Sequence, residues 1–143
     1  MKWPWRKKRA GDERPESHRS GVWGERRAAE FLRRKGFRVI GTRVKVGTRD
    51  EFDVVARDGQ VLVFVEVKTR RSEVYGRPMD AVDHGKRHVL SRAAVRYVQS
   101  LKRKQAPPFR FDVVEIVGRT GDPDPIVRHI ENAFPLDSCY MVP

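Results

Sequence analysis

Cysteine is almost missing from this chain of 143 residues: Cys139 is the only one. An internal disulfide is excluded, and so is a zinc site built on cysteines. A chain without a disulfide framework suits a reducing compartment, so a cytoplasmic protein is expected. Long apolar runs are missing as well. No uninterrupted stretch approaches the roughly 20 residues that cross a bilayer, which argues against integral membrane association. The first nine residues are basic, but no apolar stretch of signal-peptide length follows them. Acidic side chains are scarce, 19 Asp and Glu against 31 Lys and Arg, which leaves a formal charge of +12. Hydrophobic residues make up 38%, enough for one core but low enough to imply a solvated extension. One domain suits the length. The excess of positive charge asks for a polyanionic partner, nucleic acid first and an anionic membrane surface second.

The charge is uneven along the chain. Residues 1–20 carry +4, residues 21–67 carry +3, residues 68–104 carry +8 and residues 105–143 carry −3. We expect three parts: a flexible basic N-terminal arm over 1–19, a folded domain over 20–134, and a C-terminal tail over 135–143. The arm has almost no apolar periodicity and holds Pro4, Gly11 and Pro15. Its Trp3 and Trp5 could stack on bases or dip into a membrane surface. The plain alternative is a solubilising extension.

Within the domain, Val22, Glu25, Ala28, Ala29 and Leu32 recur at helical spacing between Ser20, an N-cap, and Gly36, a terminator. Residues 37–40 read as a strand and residues 41–49 as a mobile basic loop. Two strands follow, near residues 51–56 and 61–68, joined at Asp58-Gly59, a strong hairpin signal. The second is apolar on both faces until its end, the mark of a central strand. Residues 69–82 read as a loop. Asp83 caps a helix running to about Lys104, with Val89, Leu90, Ala93, Ala94, Tyr97 and Leu101 on its apolar face and Pro107-Pro108 beyond its end. Residues 109–117 alternate as a strand, and residues 126–130 form a short last one. The order α-β-β-β-α-β-(β) predicts an α/β fold, a mixed central sheet flanked by helices.

The acids stand out against this basic background. Glu25 lies in the apolar stripe of the first helix, where a charge is costly unless it is paired or ligates a metal. The alternative is a glutamate near the helix N-terminus that favours the macrodipole and points to water. If Asp58-Gly59 is a two-residue loop, Asp53 faces Phe64 and Glu51 faces Glu66. Glu51, Asp53, Phe64, Glu66 and Lys68 then share one face, and Asp53 and Glu66 are diagonal neighbours about 7–8 Å apart. Hard oxygen donors at that spacing favour Mg²⁺ or Mn²⁺ over zinc. A metal, paired carboxylates and an adjacent lysine suit phosphodiester hydrolysis, with Lys68 steering a water or offsetting transition-state charge. The competing reading is a plain Glu–Lys surface ion pair.

Other features are weaker. His84 and His88 are four apart on a helix but lack a third ligand and lie beside Lys86 and Arg87, so they read as a solvated face. Gly21-x-x-Gly24 reads as close helix packing. Arg70, Arg71, Lys86, Arg87, Arg92 and Arg96 could follow a phosphate backbone, or could simply face solvent.

Several blocks are recognisable: Gly21-x-x-Gly24-Glu25-x-x-Ala28-Ala29-x-x-Leu32, Gly36-Phe37, Glu51-Phe52-Asp53-Val54-Val55, Phe64-Val65-Glu66-Val67-Lys68-Thr69-Arg70, Ala81-Val82 with Lys86, Arg110-Phe111-Asp112-Val113-Val114, and Ile130-Glu131-Asn132-Ala133-Phe134. Together they resemble the UPF0102 (YraN-like) family of small bacterial proteins over about residues 20–134. That family is similar to the PD-(D/E)xK nucleases, among them Holliday-junction resolvases and restriction endonucleases. The resemblance implies a restriction-endonuclease-like core and a role in DNA recombination or repair. It puts Asp53, Glu66 and Lys68 in the catalytic places and makes Glu25 the helix glutamate that completes the site. Asp50 stands where a glycine usually precedes the Glu51-x-Asp53 block, adding a fourth acid to the approach. Val44 replaces the usual Asn in an Arg-Asn pair.

The expectation is a Mg²⁺- or Mn²⁺-dependent endonuclease for structured or single-stranded DNA. Glu25, Asp53 and Glu66, assisted by Glu51, would hold the metal, and the basic 68–104 region would hold the backbone. The alternatives are a catalytically inactive nucleic-acid-binding module of the same fold, or a charged scaffold for RNA or protein. A branched substrate has two-fold symmetry, which a homodimer would match.

Overall fold

Helix α1, Glu16–Arg34, starts after Pro15 rather than after Ser20. The computed structural model describes residues 15–71 and 82–141. Most of the expected arm (residues 1–14) and most of the loop after the third strand (residues 72–81) lie outside these. Pro15 has φ −55°, already fixed for helix entry, and Glu16 in the first turn complements the dipole, so the helix gains a turn before Ser20. Its end is as read. Gly36 takes φ +100°, Phe37 N–H donates to Leu32 O at 2.9 Å, and Gly36 N–H donates to Arg33 O at 3.0 Å. That pair of bonds closes the helix as a glycine cap.

Strand β1, Arg38–Val46, absorbs most of the expected basic loop. A bulge between Val39 and Gly41 turns Ile40 outward. β1 is an edge strand, so its Lys and Arg side chains stay wet while the backbone pairs on one side only. Strand β2, Asp50–Asp58, and strand β3, Val61–Arg70, form the expected hairpin. The register differs from the expected one by two residues. Asp58 pairs with Val61 and Val55 with Phe64, so the loop is Gly59-Gln60. Gly59, at φ +61°, takes the first central position, as a type II′ turn requires. A two-residue slip keeps every side chain on its face, but it changes which residues stand opposite each other.

Helix α2, His84–Ser100, is capped by Asp83, whose carboxylate accepts from Lys86 N–H at 2.8 Å. It stops before the expected Lys104 because Lys102 turns left-handed, φ +53°. Strand β4, Phe109–Val117, is buried on both faces rather than alternating, because it sits inside the sheet. Strand β5, Ile126–Phe134, runs four residues past the expected end. A 3₁₀ turn, Ser138–Tyr140, packs against α2.

The sheet order is β1-β2-β3-β4-β5, parallel between β3 and β4 and antiparallel elsewhere. The fold is α/β with a mixed sheet, as expected. α1 covers one face over Trp23, Ala28, Leu32, Val54, Val63, Val65, Val114 and Ile116. α2 covers the other over Phe52, Val55, Leu62, Phe64, Leu90, Ala94 and Phe111. Each large apolar side chain fully buried this way contributes about 1.5–3 kcal/mol. Together they hold β3 rigidly between two helices.

Candidate functional site

β2 and β3 pair only as far as Val54↔Val65. Beyond that point β3 continues to Arg70 beside β4, while β2 continues to Asp50 beside β1. A notch opens where the two strands part, and Asp53 stands at its mouth. The side-chain alternation of β2 breaks there. Phe52 joins the α2-side core and Val54, two residues on, joins the α1-side core. Arg43, opposite Asp53 between the Thr42↔Val54 and Val44↔Phe52 pairs, has φ +49°. The paired strands therefore kink together at this point. Val55, not Asp53, stands opposite Phe64, and the Phe52 ring stacks on that of Phe64 with centroids 4.4 Å apart. The expectation that Glu51, Asp53 and Glu66 share one flat sheet face is thus corrected: the acids gather around the notch, Glu51 and Asp53 from β2, Glu66 from β3 and Glu25 from α1.

Asp53 Oδ2 accepts from Val67 N–H at 2.8 Å, replacing the ladder bond that β2 no longer supplies. The Asp53 carboxyl is in hydrogen-bond contact with that of Glu66. Burial first, and then the negative charges of Glu66 and Glu25, push its pKa up to about 8. Glu25 arrives from α1, which approaches β3 through Gly24: a Cβ there would lie 2.0 Å from Thr69 Oγ1. The plain alternative for Glu25 fails. It lies in the third turn of α1, it is buried, and it bonds Arg43 Nε at 2.7 Å and Nη2 at 3.4 Å. Burial raises its pKa, Arg43 offsets part of the rise, and Glu51 and Glu66 add to it. Glu51 is exposed and close enough to act on Glu25. Four carboxylates therefore feel one another in a small volume.

Two lysines face them. Lys68 Nζ lies 3.4 Å from Glu66 Oε2, and Lys86 Nζ, from the first turn of α2, lies 3.7 Å from the same oxygen. Lys86, first read as a backbone contact, thus belongs to the acid cluster. Asp50 does not. It is buried against Arg92, with contacts at 2.7 and 3.1 Å that hold its pKa below the usual range.

The other basic candidates have mostly been given partners. Arg92 is held by Asp50. Arg87 donates to Val82 O at 2.9 Å and lies over the Phe134 ring. Arg70 pairs at 3.0 Å with Glu115, a buried acid that also holds Arg128. Arg71 and Arg96 are exposed. The sequence reading missed Arg43 entirely, because it fell in a supposed loop. It also missed Arg26 and Arg33, which line a cavity of about 290 Å³ beside Glu25, Thr42 and Arg43. Their helical spacing of seven was the available signal. Ser91 and Cys139 lie outside the acid cluster. Ser91 is buried, and its hydroxyl accepts from Asp137 N–H at 2.9 Å.

Fold and site together define a small α/β domain with a partly buried carboxylate cluster, flanked by lysines, where two sheet strands separate. The chain belongs to the uncharacterised protein family UPF0102, whose family description matches residues 24–116. It is 46% identical over 122 residues to the UPF0102 protein STH1475 of Symbiobacterium thermophilum, covering 82% of this chain and 98% of that one. It is 40% identical to a UPF0102 protein of Caldicellulosiruptor saccharolyticus, covering 80% and 95%. With the UPF0102 protein GSU0650 of Geobacter sulfurreducens it shares 43% identity over 81% and 88%. Among the described residues, no helix is long and apolar enough to cross a membrane.

Proposed function

We propose that this protein is a Mg²⁺- or Mn²⁺-dependent endonuclease acting on structured or single-stranded DNA. The observation that carries the reading is the Asp53–Glu66 carboxyl pair, pressed together at the parting of β2 and β3, with Glu25 and Glu51 adding negative charge. So much negative charge in one partly buried place costs stability unless a cation or protons neutralise it. The donors are all carboxylate oxygens, which suits a hard divalent cation and not a thiophilic one. Glu25, Asp53 and Glu66 would hold the ion, with Glu51 at the rim. When bound, it would polarise a phosphate oxygen and lower the pKa of a water.

The protein's own part is electrostatic. Lys68 and Lys86 stand where negative charge would build on the phosphate in the transition state. Arg43 keeps the Glu25 carboxylate oriented toward the notch. Arg26, Arg33, Arg71 and Arg96 offer positive charge to the phosphate backbone around it. The similarity of the sequence blocks to the PD-(D/E)xK nucleases supports the same reading. A DNA substrate is met in the cytoplasm of a bacterium, and a two-fold symmetric junction would favour a homodimer.

The test is nicking of branched or flapped DNA with Mg²⁺ or Mn²⁺, comparing wild type with Asp53→Ala and Glu66→Ala. Loss of nicking in both variants, with DNA affinity retained, is the expected result. Equal background cutting by all three proteins would remove the enzyme. Salt-sensitive DNA binding unaffected by the substitutions would then leave the nucleic-acid-binding module as the function.

A further inference from the structure

The solvated-face reading of His88 rested on the absence of a third ligand nearby in sequence. The fold supplies it from far along the chain. His88, in the second turn of α2, has its Nδ1 3.0 Å from Asp137 Oδ2 and 4.0 Å from Cys139 Sγ. One ligand atom from each of these three residues falls within 4.8 Å of the other two. Nitrogen, carboxylate oxygen and sulfur thus converge from two elements, separated by 49 and 51 residues in sequence. They lie at the end of α2 away from the hairpin turn and share no residue with the acid cluster.

We propose that His88, Asp137 and Cys139 form a second cation site, for a borderline divalent ion of the zinc class, that clamps the C-terminal turn onto α2. The donor set is the first reason. Imidazole and thiolate select zinc-like ions, whereas Mg²⁺ and Mn²⁺ prefer the all-oxygen notch. The spacing is the second. Ligands around a tetrahedral zinc at its usual bond lengths stand about 3.3–3.6 Å apart, and the observed 3.0 and 4.0 Å bracket that range. Small side-chain rotations would close the set, because Asp137 is already anchored by the Ser91 hydroxyl and by its bond to Cys139 N–H.

The third reason is what the turn lacks. Residues Ser138–Tyr140 bury none of their side chains, and Met141 after them is half exposed. The Tyr140 ring against His88, centroids 5.5 Å apart, is the turn's main apolar hold on α2, and a shared ion would add a direct one. Three protein donors leave a fourth position for a water, and a cavity of about 340 Å³ adjoins the site at Asp137 and Ser138. On ligation the Cys139 thiol loses its proton to solvent and the sulfur lone pair becomes the metal bond.

Because Cys139 is the only cysteine of the chain, a thiolate signal reports this site alone. The full chain, stripped with a chelator, is titrated with Co²⁺. The expected result is a thiolate-to-cobalt charge-transfer band in the near ultraviolet that saturates at one ion per chain and is bleached by Zn²⁺. Cys139→Ser removes the band. His88→Ala weakens cobalt binding at least about tenfold, while Asp53→Ala leaves the band unchanged. No band at millimolar Co²⁺ would overturn the proposal. So would a band that His88→Ala does not weaken, or one that forms only as protein concentration rises, since that would report thiolates of two chains.

Discussion

A carboxyl group with a pKa near 8 still holds its proton in neutral water. Asp53 is in that state because it is enclosed beside Glu66 and within the field of Glu25. The consequence for stability follows from proton counting. Between the ordinary value near 3.8 and the folded value near 8, the folded state binds more protons than the unfolded one, so stability falls as pH rises through that window. We predict that the metal-free protein loses thermal stability from about pH 5 to pH 8. Asp53→Asn should flatten that slope while abolishing nicking, and melting curves in chelator across the range would show it. A slope equally steep in the variant would contradict a buried neutral Asp53. Arg43 is the matching positive residue. Arg43→Ala leaves Glu25 buried without its partner, and should cost about 1–2 kcal/mol in urea unfolding. Pairing it with Glu25→Gln should cost less than the two changes added.

At the scale of elements, the site depends on how closely α1 is seated on β3. Gly24 makes that seat. A methyl group at this position would overlap Thr69 Oγ1, so Gly24→Ala should push the helix away and carry Glu25 out of the notch. A loss of about 1–3 kcal/mol is expected, with part restored by Thr69→Ala. Divalent-ion affinity, read by calorimetry, should fall in Gly24→Ala more than stability alone predicts. The hairpin carries a second lesson. Asp58-Gly59 marked the turn, but the loop is Gly59-Gln60, because Gly59 supplies the positive φ at the first central position and Asp58 pairs in the ladder and bonds Arg110. The Asp58-Gly59 hairpin signal and the apolar run of 61–68 located both elements. They did not reveal the kink at Asp53, which arises from the partner strand and the two cores pulling Phe52 and Val54 to opposite faces.

Across the whole molecule, β4, β5 and the end of α1 are tied together by one buried acid. Asp112 accepts from Arg110, His129 and Asn132 N–H, and His129 in turn meets Lys35 just after α1. Burial alone would raise the Asp112 pKa, but the His129 and Arg110 bonds outweigh it and hold the group below its usual range. That stability is present above about pH 4 and is lost as acid protonates Asp112, so Asp112→Ala should move the onset of acid unfolding. It should also cost about 3–5 kcal/mol, since His129 and the Asn132 N–H lose their acceptor and Arg110 keeps only the more exposed Asp58 and Glu131. Circular dichroism against pH and denaturant would measure both. The molecule therefore uses its buried acids in two ways. Asp50, Asp112 and Glu115 are neutralised by arginine and histidine and hold elements together. Asp53, Glu66 and Glu25 have less positive charge than they need and form the candidate site.

What the sequence determined by itself is the layering. Apolar periodicity, Gly36, the hairpin glycine and the Asp83 cap are local signals, and they specify two helices and a five-stranded sheet with β3 at its centre. The out-of-place acids were also visible, because a charge within an apolar stripe conflicts with its own neighbours. Tertiary structure alone decided which acids stay unneutralised. Arg92 and Asp50 are 42 residues apart, Glu25 and Arg43 are 18, and His88 and Asp137 are 49. No local pattern encodes such pairings, since each depends on which helix lies on which face and on how far two strands stay paired before they separate.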